Sequence, residues 1–384
     1  MKILLVAMPS IHFKRWTSQL KGAGYDVYWF DILNGGYIEE LDWVEQHTDW
    51  KYKIGNFKGR FFVKKYFPAL HKLLENNQEK EFEKLLEKVK PDVVQSFVLY
   101  KCAVPIYNVM LKHNTIKWIY SSWGSDLYFF KNLPKYREDI IKVLGKVNYL
   151  FTDNERDSRI ARNLGFSNKF LGAFPGGGGF HIDKIQSYIL PLYERNTILI
   201  KGYQGRSGRA IEVLKAIRKN IDVLMPYELV VFGADPEVES FIKNDVDLKE
   251  LDISVHSKRK LLTHIQVLKL MGKSLIYIGN SNSDGMPNTL LEAIIMGVFP
   301  IQSNPGGVTE EVINNGKNGM LIHNYDDVDE ISTTIVKVLK NKKMLCQAHE
   351  YNLKLQVKLE YNVIKENVLK AYNYVEKELK TLVS

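Results

Sequence analysis

Two carboxylates eight residues apart, Asp284 and Glu292, stand in the stretch of this chain with the most groups able to do chemistry, Ser281 to Ile322. Asp284 precedes Gly285-Met286-Pro287-Asn288, where Gly and Pro forbid a continuing strand and Pro suits the first turn of a helix. Thr289 to Met296 then reads as a short, mostly apolar helix whose one charge is Glu292. A buried helix seldom carries a lone carboxylate without a partner. Such a carboxylate can accept two hydrogen bonds from a vicinal diol, the group a ribose offers. Asp284, on the loop, can meet a second hydroxylated group. Gly297 ends the helix, Val298 to Ile301 reads as a strand, and Pro305-Gly306-Gly307 turns into another helix start at Thr309. Each of the two helix starts follows a glycine-rich turn and presents unpaired N–H groups with a positive dipole end, which suits phosphate. Diol, diphosphate and sugar come in the order of a nucleotide sugar. A helix cap plus a salt-bridged core Glu is the competing reading.

A second cluster reinforces the first. Lys201 to Arg209 packs three cations, Lys201, Arg206 and Arg209, among three glycines after a strand and before a helix. Cations at such a turn are placed to neutralise a diphosphate leaving group. Which of the three meets phosphate stays open, and a solvated turn is the alternative. Earlier in the chain, Ser122-Trp123-Gly124-Ser125-Asp126 follows another strand. Trp123 can stack on a sugar face but cannot shuttle protons. Asp126 is thus the candidate for a polar role, a helix N-cap being its other reading. His12, early in the first helix, is a candidate for the acceptor side, or else a cap or surface residue.

The elements that must position these groups alternate. Lys2–Ala7, Tyr25–Phe30, Val93–Val98, Ile116–Ser121 and Val147–Thr152 read as strands, with helical patterns such as Ala69–Lys90, Lys101–Lys112 and Lys135–Leu144 between them. A second alternation begins at Thr197–Ile200 and continues through Leu229–Phe232, Ile253–His256, Leu275–Gly279 and Phe299–Gln302. Strand–helix alternation argues parallel, doubly wound sheets, whose ligands sit at the carboxyl ends of strands. The glycine run at 176–179 separates the two alternations as a hinge or a close-approach surface. The tail is helical, ending in a long pattern from about Tyr361 to Leu382.

With 384 residues, 45% hydrophobic and 25% charged, the chain fits two ordinary globular domains. No apolar run approaches the ~20 residues a membrane span needs, and MKILLVAMP reads as a first strand rather than a signal peptide. The two cysteines, Cys102 and Cys346, match no metal or redox spacing and read as reduced core thiols of a cytoplasmic protein. Nearly all of the +9 net charge lies in residues 1–190, with 28 Lys+Arg against 20 Asp+Glu.

The Asp284–Glu292 spacing closely resembles the E-x7-E signature of retaining glycosyltransferase family 4, and Gly306-Gly307 and Asn318-Gly319 look like that family too. The family's first Glu is Asp here, one methylene shorter. Its usual Arg and Lys at the glycine turn are matched by Lys201 and Arg209 with the types exchanged. Its first-domain His-Gly-x-Asp turn is matched with Trp123 in place of the His, and its first-loop Gly-Gly is replaced by Met8-Pro9-Ser10. The resemblance implies an α/β GT-B fold: two Rossmann-like domains facing a cleft, with a C-terminal helix crossing back to the first. The expected boundaries are 1–190 for the acceptor domain, 191–357 for the nucleotide-sugar domain and 358–384 for the returning helix. It further implies a retaining hexosyl transfer from a UDP- or GDP-type sugar to a saccharide or lipid-linked hydroxyl in cell-surface polysaccharide or glycolipid synthesis. Asp284, Lys201, Arg206, Arg209 and Asp126 are then the catalytic candidates. Glu292, Gly285, Met286, Pro287, Asn288, Thr289, Gly306 and Gly307 bind donor, and His12 and Trp123 face the acceptor. No cofactor or metal is expected. Asp245-Val246-Asp247 and Asp327-Val328-Asp329 have a metal-binding D-x-D spacing, but neither follows a buried strand. A sugar-nucleotide epimerase and a non-catalytic nucleotide-sugar binder are the alternatives.

Lys51 to Lys72 holds seven Lys/Arg, six Phe/Tyr and no acid. It reads as basic outer faces, as a peripheral contact with the anionic inner face of a membrane, or as a single-strand nucleic-acid surface. The last is set aside, because the glycine turns and Glu292 would then have no task.

Overall fold

In a computed structural model, which describes residues 1–54 and 59–383, the first apolar run forms strand β1 (Lys2–Ala7), whose Ile3 to Val6 have no exposed surface. It is followed in chain order by β2 (Asp26–Asp31), β3 (Glu45–His47), β4 (Val93–Phe97), β5 (Lys117–Ser122), β6 (Tyr149–Thr152) and β7 (Lys169–Ala173). These make one sheet in the order β3-β2-β1-β4-β5-β6-β7, parallel throughout. Leu4, Val6, Val94 and Tyr120 pack with Phe82, Ile106 and Ile140 of the covering helices. The unit comprises residues 1–178 together with 365–384. The long Tyr361–Val383 helix brings Tyr372 into it, fully buried, where its hydroxyl donates to Gln95 Oε1 and accepts from Trp16 Nε1 at 3.0 Å.

The other unit, residues 179–364, holds β8 (Thr197–Lys201), the two-residue strands β9 (Gln204–Gly205) and β10 (Gly208–Arg209), then β11 (Glu228–Ala234), β12 (Ile253–Ser257), β13 (Ser274–Gly279), β14 (Phe299–Ser303) and β15 (Met320–Ile322). Its main sheet is again parallel, in the order β12-β11-β8-β13-β14-β15. Period-2 burial shows both faces covered. Ile198 and Ile200 enter one apolar cluster with Val231, Ile276 and Ile301, while Leu199 enters another with Val230, Tyr277 and Leu290. Each unit is therefore a doubly wound α/β layer structure.

The departures from expectation have local causes. The units divide between Gly178 and Gly179, inside the glycine run, and not at residue 190. β3, β7 and β15 are additional edge-side strands of three to five residues. The pattern Ala69–Lys90 breaks into Pro68–Leu74 and Gln78–Val89, because Glu75 bridges to Tyr52 and Asn77 caps the second helix through Lys80 N. The pattern Lys101–Lys112 breaks at Pro105, whose missing N–H prevents one regular helix; a π turn, a 3-10 turn and the helix Tyr107–Lys112 result. Val98, just before that turn, has φ +67°, a costly conformation for a β-branched residue, on the order of 1–3 kcal/mol. Cys102 is buried as expected, but Cys346 is exposed on the helix Lys342–Leu359.

Candidate functional site

β8 and β13 are neighbours at the point where the second sheet's strand order reverses, the place where doubly wound sheets take ligands. Lys201 is the last residue of β8, and its Nζ lies 3.6 Å from Asp284 Oδ2 in the loop after β13. The same ammonium sits 4.8 Å from the centre of the Tyr203 ring, which Lys258 approaches at 4.7 Å. Asp284 is oriented by Gly285 N, which donates to Oδ1 at 3.0 Å. The shorter acid thus still reaches the strand-end cation. At the same strand ends the buried oxygens Asn280 Oδ1 and Ser281 Oγ find no hydrogen-bond partner among the described residues.

The loop Gly285-Met286-Pro287 enters a helix at Asn288–Ile295, one residue earlier than expected, and its N-cap residue, Pro287, makes no side-chain cap. Thr289 Oγ1 meets Tyr277 OH at 2.9 Å, fixing that first turn against β13. The helix ends as Gly297 at φ +66° takes the left-handed turn, with Val298 N bonded to Ala293 O, a Schellman closure. A Cβ at Gly297 would lie 2.6 Å from His349 Nδ1. Glu292, only 3% exposed, has His264 Nε2 at 2.7 Å from its Oε1. His264 opens the helix His264–Lys273, behind a reciprocal capping box of Thr263 and Gln266. The lone acid of the apolar helix therefore has a partner that is itself partly exposed.

The second expected helix start does not form. Pro305–Gly307 and Thr309–Glu311 are single 3-10 turns, and Asn304 Oδ1 accepts from both Thr309 N and Glu310 N. Those N–H groups are already satisfied, so this turn is not a second open N-terminus. Gly306 and Gly307 do have positive φ, +64° and +82°, as a tight approach requires. The two Asp-x-Asp pairs serve as caps. Asp245 accepts from Asp247 N and Leu248 N, and Asp327 from Asp329 N and Glu330 N.

Of the three cations, the structure brings Lys201 to Asp284 and ties Arg209 elsewhere. Arg209 Nε lies 3.1 Å from Asp326 Oδ1, and its guanidinium 5.8 Å from the Tyr325 ring. Arg206 is exposed at the β9–β10 turn. Gly208 in that hairpin is obligatory, since a Cβ there would lie 2.1 Å from Tyr203 O.

In the first unit His12 and Trp123 are neighbours, with ring centres 6.2 Å apart, beyond the ends of β1 and β5. Ser10, not His12, caps the first helix, accepting from Phe13 N. Trp123 rests on buried Phe97 at 4.7 Å, and a Cβ at Gly176 would meet its indole at 3.3 Å. Asp126 is neither an N-cap nor an accessible acid: it is 3% exposed and accepts from Tyr120, Ser122 and Leu99 N. It anchors the residue after strained Val98, so it is a positioning residue and not a reacting one. Burial, with Asp157 adding repulsion, pushes its carboxyl up to about 7. The native state then holds this proton more tightly than the unfolded chain, so stability declines as pH rises from ~4 through ~7. Asp126→Asn can keep the same partners, its oxygen accepting from Tyr120 and Leu99 while its amide donates to Ser122. The variant is expected to match wild type near the acid end and to exceed it by on the order of 2–4 kcal/mol at about pH 8. Denaturant melts across this range check it, and parallel curves would refute it.

Sequence reasoning missed His264, Tyr277, Asn280 and Ser281. The Thr263-x-x-Gln266 capping box was the available signal for a helix starting at His264.

Solved structures of the same architecture exist. Sucrose-phosphate synthase from Thermosynechococcus elongatus superposes with a TM-score of 0.71 at 14% identity, covering 98% of this chain and 100% of its own. A glycosyltransferase from Rickettsia africae gives 0.68 at 16%, covering 98% of each chain. Anabaena HepE in complex with UDP gives 0.70 at 10%, covering 97% of this chain and 100% of its own. At such identities the likeness is one of fold, and the fold is GT-B. The model of glycosyl transferases group 1 matches residues 197–355, and that of glycosyl transferase 4-like matches residues 2–154. The chain thus joins a glycosyl transferase 4-like first region to a glycosyl transferases group 1 second region. No curated protein matches it.

Proposed function

We propose that the chain moves a hexose from a UDP- or GDP-type nucleotide sugar to a hydroxyl of a saccharide or lipid-linked acceptor, with retention and without an essential metal, in cell-surface polysaccharide or glycolipid synthesis. The observation that carries this reading is the Lys201–Asp284 pair at adjacent strand ends, 3.6 Å apart, beside the start of the Asn288–Ile295 helix. The bond from the anomeric carbon to the diphosphate breaks, and a bond to the acceptor oxygen forms on the same face. Lys201 and the N–H groups at Asn288 and Thr289 take the charge growing on the departing diphosphate. Glu292 holds the ribose diol and Asp284 the sugar. The acceptor's proton passes to the leaving phosphate oxygen. His12 and Trp123 flank the acceptor, Trp123 by stacking and not by proton transfer.

The test is to incubate the protein with UDP- and GDP-hexoses, with and without acceptor alcohols, and follow the anomeric signals by NMR. The expected result is nucleotide release that depends on acceptor and a product of unchanged anomeric configuration. Epimer from donor alone would make the chain an epimerase. Donor binding without release with any acceptor would make it a binding protein.

A further inference from the structure

The first unit carries an exposed apolar surface in an unusual place. The helices α1 (Ile11–Ser18), α2 (Arg60–Tyr66) and α3 (Pro68–Leu74) differ sharply in burial. In α1, Phe13 and Trp16 are buried, whereas α2, α3 and the residue that joins them expose Phe61 (78%), Phe62, Tyr66, Phe67 and Leu73 (69%). Only His71 of these two helices is buried among the described side chains. Exposed Lys64, Lys65 and Lys72 interleave with these residues, and Lys65 Nζ lies 5.1 Å from the Tyr66 ring. The base of the segment is fastened. Lys51 Nζ pairs with Glu75 at 3.4 Å, Asn76 Nδ2 donates to Trp50 O at 2.6 Å, and Asn76 N to Lys51 O at 2.8 Å. Residues 55–58, which belong to the basic stretch, lie outside the described residues.

We propose that α2 and α3 form a docking surface for an anionic lipid bilayer, the rings and Leu73 entering at headgroup depth while the lysines meet lipid phosphates. The composition decides among partners. A second copy of this chain would set lysines against lysines, with no acid between residues 51 and 72 to relieve them. A single-stranded nucleic acid would use the cations and rings but leave exposed Leu70, Leu73 and Ile54 in water, since aliphatic chains offer no stacking face. A bilayer takes cations, rings and aliphatic chains together. This surface belongs to the unit opposite in sequence to the Lys201–Asp284 pair and stands whether or not the chain transfers sugar.

The test is co-sedimentation of the full chain with phosphatidylcholine vesicles, with and without phosphatidylglycerol. Binding is expected only with the anionic lipid, and it should weaken with salt. Lys64→Glu/Lys65→Glu should lower partitioning at least ~20-fold, as two lost surface cations would, and Phe61→Ser/Leu73→Ser roughly tenfold or more. All four residues are exposed, so melting temperatures should not move, which separates lost docking from lost folding. Equal binding to neutral vesicles, or variants that partition like wild type, would overturn the proposal. So would preferential capture of an oligonucleotide, or self-association through these residues with no vesicle binding.

Discussion

Lys201→Ala should lower turnover about 10²–10³-fold, the effect of losing one preorganised charge donor at a leaving group, while donor affinity changes much less. The ammonium stands at the end of β8, 3.6 Å from Asp284 and 11% exposed, so it is fixed before substrate arrives. A cation placed in advance stabilises charge that develops only as the sugar–phosphate bond breaks, so its loss is felt in kcat more than in KM. Part of the deficit will come from Asp284, left to repel the diphosphate. The double variant Lys201→Ala/Asp284→Asn should therefore recover some of what the single variant loses. Steady-state nucleotide release measures both. A kcat within a few fold of wild type in Lys201→Ala would remove the residue from the reaction and favour Arg206 or Arg209.

Glu292→Ala is expected to weaken binding of UDP or GDP roughly 10²-fold, the loss of two hydrogen bonds to a charged acceptor at ~1.5 kcal/mol each. Titration calorimetry with the free nucleotide reads this without catalysis. Glu292 is buried with its oxygen 2.7 Å from His264 Nε2, so truncation also strips His264 of that partner. Glu292→Gln, which keeps volume and one acceptor oxygen, should fall between the two. His264→Ala should cost less than Glu292→Ala, because it loosens the carboxylate without removing it. Unchanged nucleotide affinity in Glu292→Ala would end the assignment of the Asn288–Ile295 helix to the donor.

The parts of this site that could be read from the sequence were those written in short-range code. Gly285 and Pro287 break a strand and start a helix, Gly297 stops it, and a single acid in an otherwise apolar helix has to be explained. All three features occupy thirteen residues and were found within one residue of where expected. Lys201 was legible only as one of three cations, because which of them reaches the β13 loop depends on strand register and not on spacing. His264 is 28 residues from Glu292 along the chain, and no local pattern couples a helix start to an acid on a later helix. Asp126 misled for the same reason. An Asp ahead of Leu127 has the local look of a cap, yet Leu99 N, from the π turn after β4, and Tyr120, from β5, claim it. At Pro305–Gly307 the glycines forecast the turn, but Asn304, reaching forward to Thr309 N and Glu310 N, consumed the donors a helix would have offered. Among strands, Glu45–His47 carries no apolar residue, so hydrophobic patterning had nothing to detect.

The hydroxyl of Tyr372 sits among Trp16 and Gln95, residues made hundreds of positions earlier. During synthesis the amino-terminal sheet must therefore wait, with an indole N–H and an amide inside it still seeking their partner, until the ribosome has passed residue 372. The later-made unit, residues 179–364, is continuous in sequence and can finish first. A released chain truncated before that tyrosine should show the second unit protected from protease while the first is still cut.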